Sequence, residues 1–179
     1  EPGKTSTLGT ISVRSSDVEL KGLVLSTITH SLTGAPVAPP FVGFRVYECE
    51  TTTTFNLGTF NVAVDDVEIS GSILRAGVFV DHTVSNVNIS NNIILSTVST
   101  EQTLTLEIHN NLFRGTSSIS IQNNDPADGT LVLWDNMFIL NSGANRFVNL
   151  NNGPFNLTNN LTHNYTFANL DFQSNASGS

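Results

Sequence analysis

The chain has 179 residues, with seven Lys or Arg against fifteen Asp or Glu and a net charge of −8. That length suits one domain, and cations scattered singly at Arg14, Lys21, Arg45, Arg75, Arg114 and Arg146 exclude the clustered positive surface that nucleic acid or an anionic membrane requires. No apolar run approaches the roughly 18 residues of a membrane-spanning helix.

Taken in chain order, the polar opening Glu1–Thr7 carries no Met, as expected of a mature exported form and equally of a cloned fragment. The first strand signal is Leu8-Gly9-Thr10-Ile11-Ser12-Val13, followed by the phrase Val18-Glu19-Leu20-Lys21-Gly22-Leu23-Val24-Leu25. Residues 26–43 read as an inserted loop, because Gly34, Pro36, Pro39 and Pro40 punctuate them. Phe44-Arg45-Val46-Tyr47 reads as a divergent turn of a repeat, Cys49 beside it as a buried thiol without a disulfide partner, and Thr51–Thr54 as an exposed or O-glycosylated strand. The first unit then returns 49 residues on, as Leu57-Gly58-Thr59-Phe60-Asn61-Val62 through Asp66-Val67-Glu68-Ile69.

The phrase itself continues as Val67–Leu74, Val87–Ile94, Leu106–Phe113, Leu131–Phe138 and Phe155–Thr162. Its form is apolar, any, apolar, any, Asn or Gly, small polar, apolar, apolar. Repetition at this spacing marks a stacked array in which each unit buries its apolar face only against its neighbours. The apolar residues alternate, so the period is two and the units are strands. The bends fall at Asn91-Asn92, Asn110-Asn111, Asp135-Asn136 and Asn159-Asn160, since Asn and Asp tolerate left-handed backbone angles. Stacking predicts a ladder of side-chain amides. It also predicts two interior columns: Leu25, Leu74, Ile94, Phe113 and Phe138 in one, and Leu20, Ile69, Ile89, Ile108, Leu133 and Leu157 in the other.

On these residues the chain resembles the right-handed parallel β-helix superfamily, the pectate-lyase-like fold, over about residues 8–172. The expected fold is all-β, a single-domain right-handed parallel β-helix of about six to seven turns spanning 1–179, with a polar tail at 173–179. An antiparallel sandwich is the competing architecture. The resemblance implies relatives that bind or cleave glycans, but the Asp, Gly-His-Gly and Arg-x-Lys motifs of the galacturonan hydrolases are absent here, as is a pectate-lyase calcium cluster with its Arg base.

Asp65-Asp66 is the acidic pair to weigh as acid and base. Asp66 answers Asp17 in the long repeat, so both read as turn residues and no catalytic residue is assigned. Glu19, Glu68 and Glu107, with Asn88 between the last two, share an outward column that presents oxygen to solvent or to Ca²⁺. His30, His82, His109 and His163 lack metal-ligand spacing, so no metal site or other cofactor is assigned. Trp134 and Tyr47 are the candidate contacts for a glycan or partner, and Tyr165 is a further aromatic that joins them only if all share a face. Asn88, Asn156, Asn160, Asn164 and Asn175 are N-glycosylation sequons in a chain whose composition generates them readily.

A β-helix exposes unpaired backbone and apolar columns at its ends, and no amphipathic helix is legible here to cover them. The expected function is therefore an exported, extracellular or cell-surface structural or adhesive subunit that stacks end to end on identical subunits into filaments. The alternative is a glycan-binding or polysaccharide-acting β-helix, including a viral tailspike segment.

Overall fold

The computed structural model describes residues 7–30, 34, 40–57, 62–80, 84–100, 105–115, 121–123, 130–140, 148–150, 165–166 and 172–174. These residues form three parallel sheets and no helix. Sheet I joins β1 (Thr7–Val13), β3 (Val24–His30), β5 (Glu50–Thr51), β8 (Ile73–Leu74), β11 (Ile93–Ile94), β14 (Leu112–Gly115), β17 (Met137–Leu140) and β19 (Tyr165–Thr166). Sheet II joins β2 (Val18–Lys21), β4 (Phe41–Tyr47), β7 (Val64–Ser70), β10 (Val84–Ser90), β13 (Thr105–His109) and β16 (Thr130–Trp134). Sheet III joins β6 (Phe55–Leu57), β9 (Val78–Val80), β12 (Val98–Thr100), β15 (Ile121–Asn123), β18 (Val148–Leu150) and β20 (Phe172–Ser174).

From β4 to β18 the chain visits sheets II, I and III in that order and then repeats, which makes the fold a parallel β-solenoid. Among the described residues, complete three-strand turns run from β4–β6 to β16–β18, fewer than the six to seven expected. The 49-residue offset is two turns as expected: Val18 pairs with Phe44, and Phe44 with Val67, in steps of 26 and 23 residues. Later steps, Val67 to Val87 to Leu106, shorten to 20 and 19.

Both interior columns form. Leu20, Val46, Ile69, Ile89, Ile108 and Leu133 stack in register in sheet II. Leu25, Thr51, Leu74, Ile94 and Phe113 stack in sheet I, and the strand pairing carries the register on to Phe138. Thr51 corrects the expectation of a wholly exposed threonine run. Alternation in β5 turns it inward between Leu25 and Leu74, where it is 1% exposed and its hydroxyl has no hydrogen-bond partner. Thr52, Thr53 and Thr54 are exposed.

The bend between sheets II and I explains the Asn pairs. Its first residue has positive φ in every described turn: Gly22, Glu48, Gly71, Asn91, Asn110 and Asp135. Its second residue points inward, giving a column of Cys49, Ser72, Asn92, Asn111 and Asn136, all buried. Asn111 Oδ1 accepts from the Asn92 backbone N–H at 2.9 Å and from Asn92 Nδ2 at 3.1 Å, while Asn111 Nδ2 donates to the Ile89 carbonyl at 2.8 Å. Asn136 repeats this one turn on, accepting from Asn111 N–H at 3.0 Å and donating to Ile108 O at 2.8 Å. The amide ladder thus satisfies buried backbone groups that the sheets leave open at the corner.

Three boundaries differ from expectation. Ser26–His30 continue β3 and Phe41–Gly43 open β4, which narrows the expected 26–43 loop at both ends. Gln173 and Ser174, expected in the polar tail, belong to β20. Met137 and Phe138 pair with Tyr165 and Thr166 rather than with Leu161 and Thr162, so the last register is set four residues later. The sequence offers the reason: Asn164 precedes Tyr165 as Asn136 precedes Met137. Leu157 lies outside the described residues.

Candidate functional site

Alternation in sheet II sends every second side chain outward, and parallel register stacks these into two columns. The first is Glu19, Arg45, Glu68, Asn88, Glu107 and Val132; the second is Lys21, Tyr47, Ser70, Ser90, His109 and Trp134. The column of Glu19, Glu68 and Glu107 with Asn88 between the last two is therefore present, with Arg45 inserted between the first two.

Before these columns each of four strands bends at a residue with positive φ: Asp17, Gly43, Asp66 and Asn86. Gly43 suits its place, since its φ is +78° and a Cβ there would lie 2.7 Å from Asp17 Oδ1, so a larger residue would have to displace that carboxylate. Asp65 Oδ1 accepts from the Asp66 N–H at 2.8 Å, Asn86 Nδ2 at 2.8 Å and Ser85 Oγ at 3.0 Å. The Asn86 bond, followed by those of Ser85 and the Asp66 backbone, holds the Asp65 carboxyl below its usual range despite partial burial. A carboxylate so held is a poor proton donor near neutrality. Asp66 carries the bend and takes Arg45 Nη2 on Oδ2 at 2.5 Å, while Arg45 also donates to the Asp66 carbonyl. The pair thus does the work of a turn.

Arg45 Nε also lies 3.6 Å from Glu68 Oε2, which accepts the Tyr47 hydroxyl at 2.8 Å. Partial desolvation and that bond raise the Tyr47 pKa. Beyond this network lies an open cleft of about 250 Å³ lined by Asp66, Val67, Glu68, Asn86, Val87, Asn88, Thr105 and Glu107. Within it the Asn88 side-chain oxygen is buried and has no hydrogen-bond partner. Asn88, the one sequon among the described residues, is therefore half-buried in the middle of a sheet rather than on a loop. Asn156, Asn160, Asn164 and Asn175 lie outside the described residues, as do His82 and His163.

Tyr47 and Trp134 do share an outward column, but four rungs apart, about 19 Å at the usual strand spacing. One sugar ring cannot touch both. The register places Tyr165 in sheet I, away from them. One face of the Trp134 indole is covered by the His109 imidazole, with centroids 4.0 Å apart and planes 8° from parallel. Desolvation lowers the His109 pKa. Among the described residues no three His, Cys, Asp or Glu side chains come together as a metal site, and no helix is long and apolar enough to cross a membrane.

Sequence reasoning missed Arg45 as the hub of the ionic network and Asn86 as the donor that holds Asp65. Both had a signal: Arg45 falls in the Glu column once the divergent turn is aligned, and Asn86 precedes Val87 as Asp66 precedes Val67. Comparison of the chain with protein-family models, with curated proteins and with solved structures finds no match.

Proposed function

We propose that this chain is an exported, non-catalytic structural β-helix subunit that stacks end to end on copies of itself into filaments. The observation that carries the reading is the first rung. β1 has β3 as its single neighbour among the described residues, and Leu8 is 38% exposed where its register partner Leu25 is 1% exposed. An open strand edge with a half-exposed apolar column is a template for another strand. The contact would be heterologous, so repetition extends a filament rather than closing a ring. The Asn-rich corner, similar to that of the right-handed parallel β-helix superfamily, supports the same structural role. Light scattering over a concentration series tests it: mass should rise with concentration, and Leu8→Asp should hold the chain monomeric with its central turns folded. A wild-type mass that stays monomeric at every concentration would remove the reading.

A second reading, a glycan-binding or polysaccharide-acting β-helix, is favoured by the sheet II cleft, which Glu68, Thr105 and Glu107 line with oxygen. Those acceptors suit the hydroxyls of a sugar. Retention on immobilised polysaccharides that is lost in Glu107→Ala would support binding, and cleavage of an acidic polysaccharide that is lost in Asp66→Asn would support catalysis.

A further inference from the structure

Sheet I, like sheet II, stacks its outward side chains in columns. One runs Ile73, Ile93, Leu112 and Met137 over four consecutive rungs, β8, β11, β14 and β17, in parallel register. Ile93 and Met137 are each 39% exposed, and Ile73 and Leu112 are half-buried. Two residues further along the chain, Arg75, Leu95 and Arg114 form a second outward column in which both arginines are exposed. The Arg75 N–H donates to the Thr51 carbonyl and the Leu95 N–H to the Leu74 carbonyl, so the backbone ladder extends through this column. Aliphatic groups aligned on an open sheet and edged by cations mark a contact surface.

Sheet II carries the complement. Its outward columns are Glu68, Asn88, Glu107 and Val132 and, two residues on, Ser70, Ser90, His109 and Trp134. Glu68 and Glu107 stand two rungs apart, as Arg75 and Arg114 do, about 10 Å at the usual strand spacing. The cleft of about 250 Å³ that Glu68 and Glu107 help to line leaves room for the tip of a long side chain.

We propose that sheet I of one copy docks against sheet II of a second copy, side by side, with the solenoid axes parallel and the rungs level. Two such faces meet with their strands running in opposite directions, so the first column of one lies opposite the second column of the other. Arg75 then faces Glu68, Leu95 faces Asn88 and Arg114 faces Glu107. Ile73, Ile93, Leu112 and Met137 face Ser70, Ser90, His109 and Trp134, which sets a thioether against the indole. In the rung before, Glu50 faces Tyr47 and Thr52 faces Arg45, so like charges do not meet. A slip of one rung loses both ion pairs, and in one direction it sets Arg75 against Arg45. Antiparallel axes would put the arginines opposite the column of Ser70 and Trp134 instead. Charge complementarity therefore fixes polarity and register as well as partner.

The contact is heterologous and leaves a further sheet I and sheet II face open on each pair. Two columns over four rungs cover about 13 Å by 19 Å, far less than the roughly 800 Å² per partner of a stable complex. Single subunits therefore meet weakly, and repetition along stacked copies multiplies the contact until filaments bundle side by side. For that repetition the proposal rests on the assembly reading.

Electron microscopy of filaments at about 20 mM and about 500 mM salt tests the bundling, because exposed ion pairs are screened. Wild-type filaments should lie side by side at low salt and separate at high salt. Arg114→Glu and Glu107→Arg should each give single filaments, and the two changes in one chain should restore the bundles. The contact is also tested without filaments, in concentrated Leu8→Asp. A chain with Arg114→Cys mixed with one with Glu107→Cys should be linked by a short bismaleimide several-fold more than either alone, Cys49 being buried. The link formed without filaments would remove the assembly reading and keep the contact. No such link, wild-type filaments that stay single at low salt, or bundles that Arg114→Glu leaves intact would overturn it.

Discussion

The two halves of the solenoid solve the same problem with different materials. In the central turns, β7 to β14, the steps are short, the ladder runs from Ser72 into the amides of Asn92 and Asn111, and the interior columns are aliphatic apart from Phe113. In the first turns, β1 to β6, the steps are longer and the ladder position holds Cys49. A threonine stands in the aliphatic column, and a histidine stands in the core. Cys49 imitates the amide in part: its Sγ lies 3.5 Å from the Leu20 carbonyl, where Asn92 Nδ2 lies 2.9 Å from the Ile69 carbonyl, but it is closer, at 3.2 Å, to the Tyr47 carbonyl two residues before it. The difference teaches that the corner accepts Leu23, a thiol or a hydroxyl as well as an amide, and that its stability depends on how well each rung satisfies the backbone there.

The comparison breaks most visibly in the columns. Ile89→Ala in the central core should cost about 2–5 kcal/mol in chemical denaturation, whereas Leu8→Ala on the open first rung should cost less than about 1 kcal/mol. Equal losses would mean that the first rung is as well packed as the centre. Acid comes next. Because burial keeps the His30 imidazole neutral, with a folded pKa of about 4, stability falls as pH drops from 6.5 toward 4. The loss should be at most about 3 kcal/mol, and it should disappear in His30→Leu.

The ladder should respond more modestly. Asn111→Ala leaves the Asn92 N–H and the Ile89 carbonyl without partners and should cost about 1–3 kcal/mol, against about 1 kcal/mol or less for Cys49→Ala. Thr51→Val should run the other way, because it replaces a buried unpartnered hydroxyl with a methyl of like shape and should stabilise the first turns by about 1 kcal/mol. Smallest is the surface network: Arg45→Met should cost about 0.5 kcal/mol, and the cost should shrink with added salt.

Much of this architecture was legible in the residues. Val87-Asn88-Ile89-Ser90-Asn91-Asn92-Ile93-Ile94 states the strand, the left-handed bend and the inward amide in eight letters, and its copies align by eye. The 49-residue echo located the divergent turn at Phe44–Tyr47, where no consensus survives. What stayed hidden depends on register across unlike turns. Thr51 looked exposed because its neighbours are threonines, and only its pairing with Leu25 and Leu74 turns it inward. Arg45 looked solitary because its partners, Asp66 and Glu68, lie 21 and 23 residues away in sequence. The outward site is legible in composition, as a column of acids, but not in chemistry. Which oxygen is left unpartnered depends on side-chain geometry that no spacing encodes.

Electron microscopy of the purified chain at rising concentration tests the proposed assembly most directly. The eight rungs of sheet I among the described residues span about 38 Å at the usual strand spacing. Stacking predicts unbranched filaments with an axial repeat near that length, absent in Leu8→Asp. Dispersed single particles at every concentration, or filaments that Leu8→Asp leaves intact, would contradict it.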